Sequence, residues 1–468
     1  MMKKITFIFY FILVNIIFIK CKKIVIPFKT VNTGDSNYIK SLLQNQIYTE
    51  LQIGTPKQTI YIAISTETAF FAIESYLIND TFYSDKRSAS FKNNTYIYYY
   101  ETNQRMKKGY ILNDTFYFKD SINNNNENKA YNNIMFNYIT ELSSGSSGLD
   151  NGFIDNNITL MSGVIGLQIT RAYEDRDYIF FIKSLKNIDA IDKIIWNINY
   201  INDNEGYLVF GEYPHQYYNN YKEKNMKKLN CITLNYEFYW SFIFTDIKIG
   251  EKKMTLYRNG DYAPQVGVII GTSEYKDLMS FYFQSKDRNN KCLLNKIEFK
   301  KLIYSYYECD KDVNIDDFEP IIFIHRELNY NFTLDKNDLF IEHNDKKYFL
   351  VVFRGTSNEQ RWVLGKPFIK KYNFAFDHDN KVILFYENKN EPNEEEGNKI
   401  WLYILIVLLG IFVLGLGIFI GRKLFGKKKK KKANEMEDNT NDEYTASINP
   451  DNNNEENDPN LNYNKLGV

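Results

Sequence analysis

Residues 48–73 constrain the fold more than any other stretch of the chain. Apolar and polar residues alternate on both sides of a Gly-Thr-Pro turn at residues 54–56, and this pattern predicts a β-hairpin. The second strand of the hairpin runs into a short polar loop that consists of Ser65, Thr66, Glu67 and Thr68. Any fold assigned to the chain must therefore accommodate a hairpin that ends in an irregular polar loop.

The pattern continues beyond the hairpin to about residue 388, where short apolar runs are separated by Asn, Asp, Gly and Lys turns. This indicates an all-β or β-rich protein, with one helix predicted at residues 178–185. A weak internal repeat is also present. The polar loop has a counterpart at residues 268–273, and an apolar-apolar-Gly step occurs at residues 164–166 and again at 363–365.

These segments resemble the pepsin-like aspartic proteases. Besides the opening hairpin, the similarity is carried by MSGVIGL at residues 161–167, GYLVFG at 206–211, YWSFIFTDIKIG at 239–250 and RWVLGKPFIKKYNFAFDHDNKVILF at 361–385. The resemblance implies an all-β, bilobal fold whose lobes are related by an approximate two-fold axis and present one loop each to a central cleft. We expect an N-terminal extension at residues 22–46 and lobes at residues 47–193 and 194–388.

Peptide hydrolysis in that family depends on two aspartates, one from each lobe, that share one proton. The resemblance places Ser65 at the first aspartate position and Ile269 at the second, so no catalytic residue is predicted. The residues expected to line the cleft loops are Thr66, Glu67, Thr68, Gly271, Thr272 and Ser273. Tyr100 is either the tyrosine of the flap that closes on substrate or an exposed strand residue.

Three functions are compatible with this pattern. The first is a non-catalytic protein whose cleft binds an extended peptide or a protein partner. The second is an active aspartic-type endopeptidase with a displaced carboxylate, for which Glu67 is the candidate. The third is a structural surface protein that only packs against its neighbours. The four histidines are scattered singly, so no metal or other cofactor is expected, and 58 basic residues balanced by 58 acidic ones give no attraction to nucleic acid.

Cysteines and sequons point to an oxidising compartment. Cys292 and Cys309 are close in sequence and occupy places like those of the family's second-lobe disulfide, so we expect them to be bonded. Cys231 is then left as a buried thiol or a link to another chain. Candidate glycosylation sites are Asn79, Asn93, Asn113, Asn157 and Asn331.

Both ends of the chain carry targeting signals. Residues 1–21 have the layout of a signal peptide, with two lysines before an apolar run. Residues 400–421 contain no charge and would form a helix of about 33 Å, which is long enough to span a membrane. A stalk at residues 389–399 precedes this span, and a tail at 422–468 begins with a lysine run. We therefore expect a single-pass type I membrane protein of the secretory pathway, either endolysosomal or at the cell surface.

Overall fold

A computed structural model describes residues 22–31, 37–74, 83–102, 105–119, 128–142, 162–169, 179–218, 221–234, 237–286, 291–355 and 361–387. The chain divides into two compact units, residues 1–389 and 390–468, and every described residue belongs to the first. Within the described ranges, no helix is both long enough and apolar enough to cross a bilayer. The predicted signal peptide, stalk, membrane span and tail lie outside those ranges.

The described chain is built mainly from strands, which confirms the β-rich prediction. The strands of its first half are β1 (Ile24–Thr30), β2 (Ile47–Ile53), β3 (Gln58–Ser65), β4 (Phe71–Glu74), β5 (Lys92–Thr102), β6 (Arg105–Phe118), β7 (Lys129–Leu142), β8 (Gly163–Gly166), β9 (Ile195–Tyr200), β10 (Glu205–Phe210) and β11 (Met226–Asn230). Those of the second half are β12 (Ile232–Leu234), β13 (Glu237–Tyr239), β14 (Ser241–Ile249), β15 (Lys252–Tyr262), β16 (Ile269–Gly271), β17 (Cys292–Phe299), β18 (Leu302–Asp310), β19 (Ile321–His325), β20 (Tyr330–Leu334), β21 (Phe340–His343), β22 (Lys346–Phe349), β23 (Val351–Arg354), β24 (Arg361–Leu364), β25 (Ala375–Asp377) and β26 (Val382–Tyr386).

Helices are few and mostly short. They are α1 (Tyr38–Leu43), α2 (Phe181–Asn187), α3 (Glu274–Lys286), α4 (Lys336–Leu339) and α5 (Lys366–Tyr372), with 3₁₀ turns at Asp85–Arg87, Pro214–Gln216, Glu223–Asn225 and Ile315–Asp317. The helix predicted at residues 178–185 corresponds to α2, which begins at Phe181. Most of these helices therefore depend on tertiary packing, since isolated helices of this length are unstable in water.

The β-hairpin predicted around the Gly-Thr-Pro turn is present. Strands β2 and β3 pair antiparallel from Ile47 opposite Ile64 to Ile53 opposite Gln58. Alternate residues of β2 are buried, as expected for a strand with one face on the core. The turn needs glycine, because Gly54 has φ +82° and a Cβ there would lie 2.7 Å from the hydroxyl of Ser88.

A first sheet of 13 strands has the order β11-β26-β25-β9-β10-β1-β2-β3-β8-β4-β7-β6-β5. Its strands come mostly from the first half of the chain, but β25 and β26 are the last strands described and pair with β9 and β11. Strand β1, in the segment expected to be an N-terminal extension, pairs with both β10 and β2. Both ends of the described chain are therefore built into this sheet.

A second sheet of 11 strands has the order β20-β19-β14-β15-β24-β16-β23-β18-β22-β21, with β17 paired to β18. Cys292 and Cys309 are directly opposite each other on β17 and β18 and form a disulfide, which confirms the predicted pair. Cys231 has a free, half-buried thiol, and burial raises its pKa to about 12. A thiol in that environment remains protonated at neutral pH.

The same three-strand arrangement occurs in both sheets. In the first sheet, β3 runs parallel to β8, and β8 runs antiparallel to β4. In the second sheet, β15 runs parallel to β24, and β24 runs antiparallel to β16. The central strands, β8 and β24, each have a glycine at their end, Gly166 and Gly365. A Cβ at Gly166 would lie 2.5 Å from the Phe70 carbonyl oxygen, and one at Gly365 would lie 2.0 Å from the Val268 carbonyl oxygen. Close approach of the chain explains the repeated apolar-apolar-Gly step.

Aromatic residues fill much of the interior between the sheets. Trp196 of the first sheet stacks on Phe376 at a centroid distance of 4.0 Å and meets Trp240 edge-on at 6.2 Å. The indole nitrogen of Trp240 donates a buried hydrogen bond of 2.6 Å to the carbonyl oxygen of Leu167. Residues from the two halves of the chain therefore share one core.

Candidate functional site

Ser65 lies at the end of β3 and is 5% exposed. Its hydroxyl oxygen accepts a hydrogen bond of 3.1 Å from the backbone N–H of Glu67, and its carbonyl accepts one of 2.8 Å from the N–H of Leu167. The hydroxyl is therefore engaged within its own loop, residues 65–68, which is called the first loop below. A serine hydroxyl held in this way cannot take a proton from water near neutral pH without a base beside it.

Strand register identifies the counterpart of Ser65 in the second sheet. Ile64 pairs with Ile165 where β3 meets β8, and Tyr262 pairs with Leu364 where β15 meets β24. The residue that follows Tyr262 is Ala263, which is 6% exposed. Ala263 therefore stands at the end of its strand as Ser65 does, and residues 263–266 form the second loop.

The placement of Ile269 opposite Ser65 is corrected accordingly. Ile269 is fully buried at the start of β16 and pairs with Val351 of β23. Strand β16 is the counterpart of β4, because Ile270 pairs with Val363 as Ala72 pairs with Val164. The register expected from the sequence was shifted by six residues.

Gly271, Thr272 and Ser273, which the sequence analysis assigned to the second cleft loop, are also outside that loop. Gly271 ends β16, and the carbonyls of Thr272 and Ser273 accept hydrogen bonds of 3.1 Å from the N–H groups of Tyr275 and Lys276 at the start of α3. Residues 271–273 therefore connect a strand to a helix and belong to neither loop. A Gly-Thr-Ser sequence after an apolar run suits both a cleft loop and a helix start, and this ambiguity produced the error.

The sequence did contain a signal for the correct register. Gly166 and Gly365 are 199 residues apart, and Ser65 and Ala263 are 198 apart, whereas Ser65 and Ile269 are 204 apart. Equal offsets between equivalent motifs are expected when two lobes repeat one pattern. The separation of the glycines would have led to Pro264, one residue from Ala263 and five from Ile269.

The two loops contact each other through Thr66. Its hydroxyl lies 3.0 Å from the carbonyl oxygen of Tyr262 and 3.1 Å from the side-chain oxygen of Gln265, and these two acceptors share its single hydrogen. The amide nitrogen of Gln265 in turn donates to the carboxylate of Glu67 at 3.2 Å. We call this contact between residues 65–68 and 263–266 the loop junction.

The junction is asymmetric because Pro264 occupies the place that corresponds to Thr66. Proline has neither a hydroxyl nor a backbone N–H, so it cannot return the bond that Thr66 makes. Its carbonyl oxygen instead accepts a buried hydrogen bond of 2.9 Å from the hydroxyl of Tyr200. Burial also raises the pKa of Tyr200, which keeps that hydroxyl a donor.

Carboxylates are scarce at the junction. Glu67 is exposed and is the one acid within residues 65–68 and 263–266. Asp261 precedes the second loop by two residues and lies 3.7 Å from the guanidinium of Arg361. No group of three or more metal-ligating side chains was found among the described residues. The side chains of residues 65–68 and 263–266 therefore offer hydrogen bonding by hydroxyl, amide and a single carboxylate.

The remaining predicted sites fall in several places. Tyr100 lies on β5, opposite Lys107 and two residues before the end of that strand, a position compatible with both its flap role and its strand role. Asn331 is exposed on β20, while Asn93 and Asn113 lie on β5 and β6. Asn79 and Asn157 are outside the described residues.

Comparison with known proteins gives one positive finding. A family model described as eukaryotic aspartyl protease matches residues 46–387. These residues include both loops, both repeated three-strand arrangements and the disulfide. No curated protein matches the chain.

Proposed function

Because the chain belongs to the eukaryotic aspartyl protease family, we propose that it is a member that binds a peptide or protein partner without hydrolysing it. The partner would lie in an extended form along the cleft, held by main-chain hydrogen bonds and by side-chain pockets. A fold can keep such a binding surface after its chemistry has been lost, since the fold does not by itself determine the function.

The chemical argument concerns the pair of acids that hydrolysis requires. Two carboxyl groups about 3 Å apart cannot both ionise, so one remains protonated and serves as general acid while the other activates water. General acid and general base each contribute about 10²- to 10⁴-fold to such a reaction. A lone carboxylate supplies one of these roles and leaves the other unfilled.

The observation that carries the proposal is the composition of the loop junction. Ser65 and Ala263 occupy the equivalent strand ends, and neither has a carboxyl group. Glu67 is paired with the amide of Gln265, which is not an acid. The junction is thus suited to holding the two lobes together and provides no proton-sharing pair.

Membrane attachment is the second part of the proposal. It is supported by the uncharged stretch at residues 400–421 and by the lysine run at 427–432, which would stop transfer and face the cytoplasm. The partner-binding domain would then face the lumen or the cell exterior. The disulfide between Cys292 and Cys309 suits such an oxidising compartment.

A digestion assay tests the absence of catalysis. The full chain, purified in detergent, is incubated with a reduced and alkylated protein substrate from about pH 3 to 7, the range in which a carboxyl pair would work. We expect no new peptide ends by mass spectrometry. Cleavage that disappears in Glu67→Gln but persists in the exposed control Glu50→Gln would instead establish an endopeptidase with a displaced carboxylate.

A selection assay tests partner binding. A random-peptide phage library is panned against the full chain, and the enriched peptides are measured by fluorescence anisotropy. Saturable binding of an enriched peptide supports the proposal. Failure to enrich any peptide over an unrelated detergent-purified protein favours the third function, a structural protein that only packs against neighbours.

A further inference from the structure

Strand β17 has one unpaired edge. It pairs along its whole length with β18, from Cys292 opposite Cys309 to Phe299 opposite Leu302, and with no other strand of the described chain. In an antiparallel pair, alternate residues direct their backbone N–H and C=O groups away from the partner strand. Among the described residues, 293–299 make no backbone hydrogen bond outside this hairpin. The groups that point away from β18 are therefore available to another strand.

Another edge of the same sheet is closed by a side chain. On β20, the N–H of Thr333 donates to the hydroxyl of Tyr372, and the carbonyl of Thr333 accepts from the same hydroxyl at 2.9 Å. Covering an edge strand with a helix, here α5, prevents it from pairing with another chain. Strand β17 is longer than β20, and no such contact is made to it within the described ranges.

Both faces of the β17–β18 hairpin are packed, which holds the unpaired edge in place. On one face, Ile297 and Phe299 pack against the apolar cluster to which Leu42 of α1 belongs. On the other face, Tyr307 stacks on Phe283 of α3 at a centroid distance of 3.8 Å. A strand that pairs with β17 would meet a preformed edge, so little free energy would be spent on ordering it.

The side chains of β17 alternate in a way that suits self-pairing. Lys296 and Glu298 are both exposed and lie on one face, since residues two apart on a strand share a face. Ile297 lies between them, is half-buried and belongs to the opposite face. Leu293 and Leu294 of the same strand are exposed apolar residues. The edge therefore combines apolar surface with one charge of each sign.

A second copy of the chain is the strand that this pattern fits. Two identical strands that pair symmetrically in one antiparallel sheet are related by a two-fold axis perpendicular to the sheet. Each residue then lies opposite a residue an even number of positions away, because side chains alternate between the faces. With the axis at Ile297, Lys296 of each copy lies opposite Glu298 of the other.

Neighbouring registers lack this complementarity. An axis at Lys296 places two lysines opposite each other, and an axis at Glu298 places two glutamates opposite each other, and both arrangements are destabilising. An axis at Asn295 places Lys296 opposite Leu294 and leaves both charges without a charged partner. Of these four registers, the one centred on Ile297 pairs both charges, and it also brings two isoleucines together.

We infer that this protein forms a two-fold dimer by antiparallel pairing of β17 with β17 of a second copy, over residues 295–299 and with Ile297 at the axis. The pairing joins the two 11-stranded sheets into one continuous sheet. The dimer goes beyond the proposed function and does not depend on it, because β17 is not part of the loop junction.

Charge reversal tests the register. Sedimentation equilibrium of the full chain in density-matched detergent should show monomer and dimer in equilibrium. Lys296→Glu and Glu298→Lys each place like charges opposite each other at two symmetric positions, so each should weaken the dimer at least about tenfold, or about 1.4 kcal/mol. Lys228→Glu is the control and should leave the equilibrium unchanged, because it reverses an exposed lysine on β11, the edge strand of the first sheet.

A mixture of the two single variants is the sharper test. One copy then carries two acidic groups at the pairing positions and the other carries two basic groups, so the mixture should form heterodimers although each variant alone is weakened. The double variant Lys296→Glu with Glu298→Lys exchanges the charges and should dimerise as the wild type does. A general loss of structure in the single variants would not be reversed by mixing.

Cysteine cross-linking tests the position of the axis. The Cα atoms of directly opposed residues in an antiparallel pair are about 4.5–5.5 Å apart, a distance that a disulfide can span. In a Cys231→Ala background, which removes the unbonded thiol, Ile297→Cys should give a covalent dimer on non-reducing gels. Lys296→Cys should cross-link with Glu298→Cys and much less with itself.

A wild type that stays monomeric at every concentration would overturn the inference, and β17 would then be an edge that its charges protect. Charge reversals that leave the equilibrium unchanged would also overturn it. If Ile297→Cys does not fold, the charge variants decide, because both positions are exposed. These assays measure neither hydrolysis nor peptide binding, so proteolysis in the digestion assay would refute the proposed function and leave the dimer in place.

Discussion

The first and second loops occupy equivalent strand ends but have kept different chemistry. The first loop retains hydroxyl groups in Ser65 and Thr66, and Thr66 reaches across to the carbonyl of Tyr262. At the equivalent places the second loop has Ala263 and Pro264, which offer a methyl group and a ring without an N–H. At these two equivalent positions, the hydroxyl donor across the junction comes from the first loop alone, and Gln265 is the residue of the second loop whose side chain takes part.

This difference is consistent with the non-catalytic function that we propose. A junction that needs only to hold two lobes together can be made by one threonine and one backbone carbonyl. A junction that activates water needs an acid from each side. Under the proposed function, the asymmetric junction meets the first requirement and not the second.

The largest expected effect comes from placing an acid on each loop. Ser65→Asp and Ala263→Asp each bury a charge, at a cost of about 3–5 kcal/mol, and the double variant should show an unfavourable coupling of about 0.5–3 kcal/mol at neutral pH. For Ser65→Asp combined with Ile269→Asp, the losses in the free energy of unfolding of the two single variants should instead be additive. Double-mutant cycles followed by urea unfolding measure the coupling energy of each pair. Coupling between the aspartates at 65 and 269, with none between those at 65 and 263, would show that Ile269 is the counterpart of Ser65.

The same double variant predicts a pH dependence. Burial and mutual repulsion raise the pKa of both introduced carboxyls above the unfolded value of about 3.9, so the folded state favours their protonated forms. Stability is then highest at low pH and is lost as pH rises through the folded pKa values. Acidification from about pH 7 to 4 should stabilise the double variant relative to the wild type. If the difference in stability between the double variant and the wild type did not change over that pH range, the two positions would be neither buried nor close.

A second prediction concerns the Thr66 contact. Thr66→Val removes the donor to the buried Tyr262 carbonyl and should lower the free energy of unfolding by about 1–3 kcal/mol. Thr68→Val is the matched control, because the hydroxyl of Thr68 is buried and has no hydrogen-bond partner among the described residues. Its change should stay within about 0.5 kcal/mol, or favour the variant. Equal losses in the two variants would show that Thr66 does not join the loops.

A smaller effect is expected on the second loop. Tyr200→Phe keeps the buried ring but removes the donor to the carbonyl of Pro264, and the loss should be about 1–2 kcal/mol. Thermal unfolding of the purified chain measures it, with Tyr207→Phe, a half-buried tyrosine of the neighbouring β10, as control. A neutral Tyr200→Phe would indicate that the second loop is positioned without this bond.

The smallest effect is expected at the exposed end of the junction. Glu67→Gln replaces the charged acceptor of the Gln265 amide by a neutral one in a contact that water can replace, so it should change stability by less than about 1 kcal/mol. Denaturation with urea at low and high salt is the measurement. A larger loss that persists at high salt would show that Glu67 lies in a less hydrated place than its exposure indicates.

Much of this architecture could be predicted from the sequence, and the exceptions have physical causes. The hairpin around Gly54 and the bond between Cys292 and Cys309 follow from local patterns, and both are present. The second loop was misplaced because an apolar run followed by Gly271 suits a strand that enters a helix as well as a catalytic loop. Helix α1 was missed because six residues carry too little periodicity to stand out, and its stability comes from a distant sheet.

Oxygen exchange tests the central claim most directly, namely that this junction cannot activate water. A mixed digest of peptides is incubated with the full chain in water enriched in ¹⁸O, and the peptide carboxyl groups are analysed by mass spectrometry. The account predicts no incorporation beyond that of peptides incubated alone. Incorporation that is lost in Glu67→Gln and kept in Glu50→Gln would contradict it.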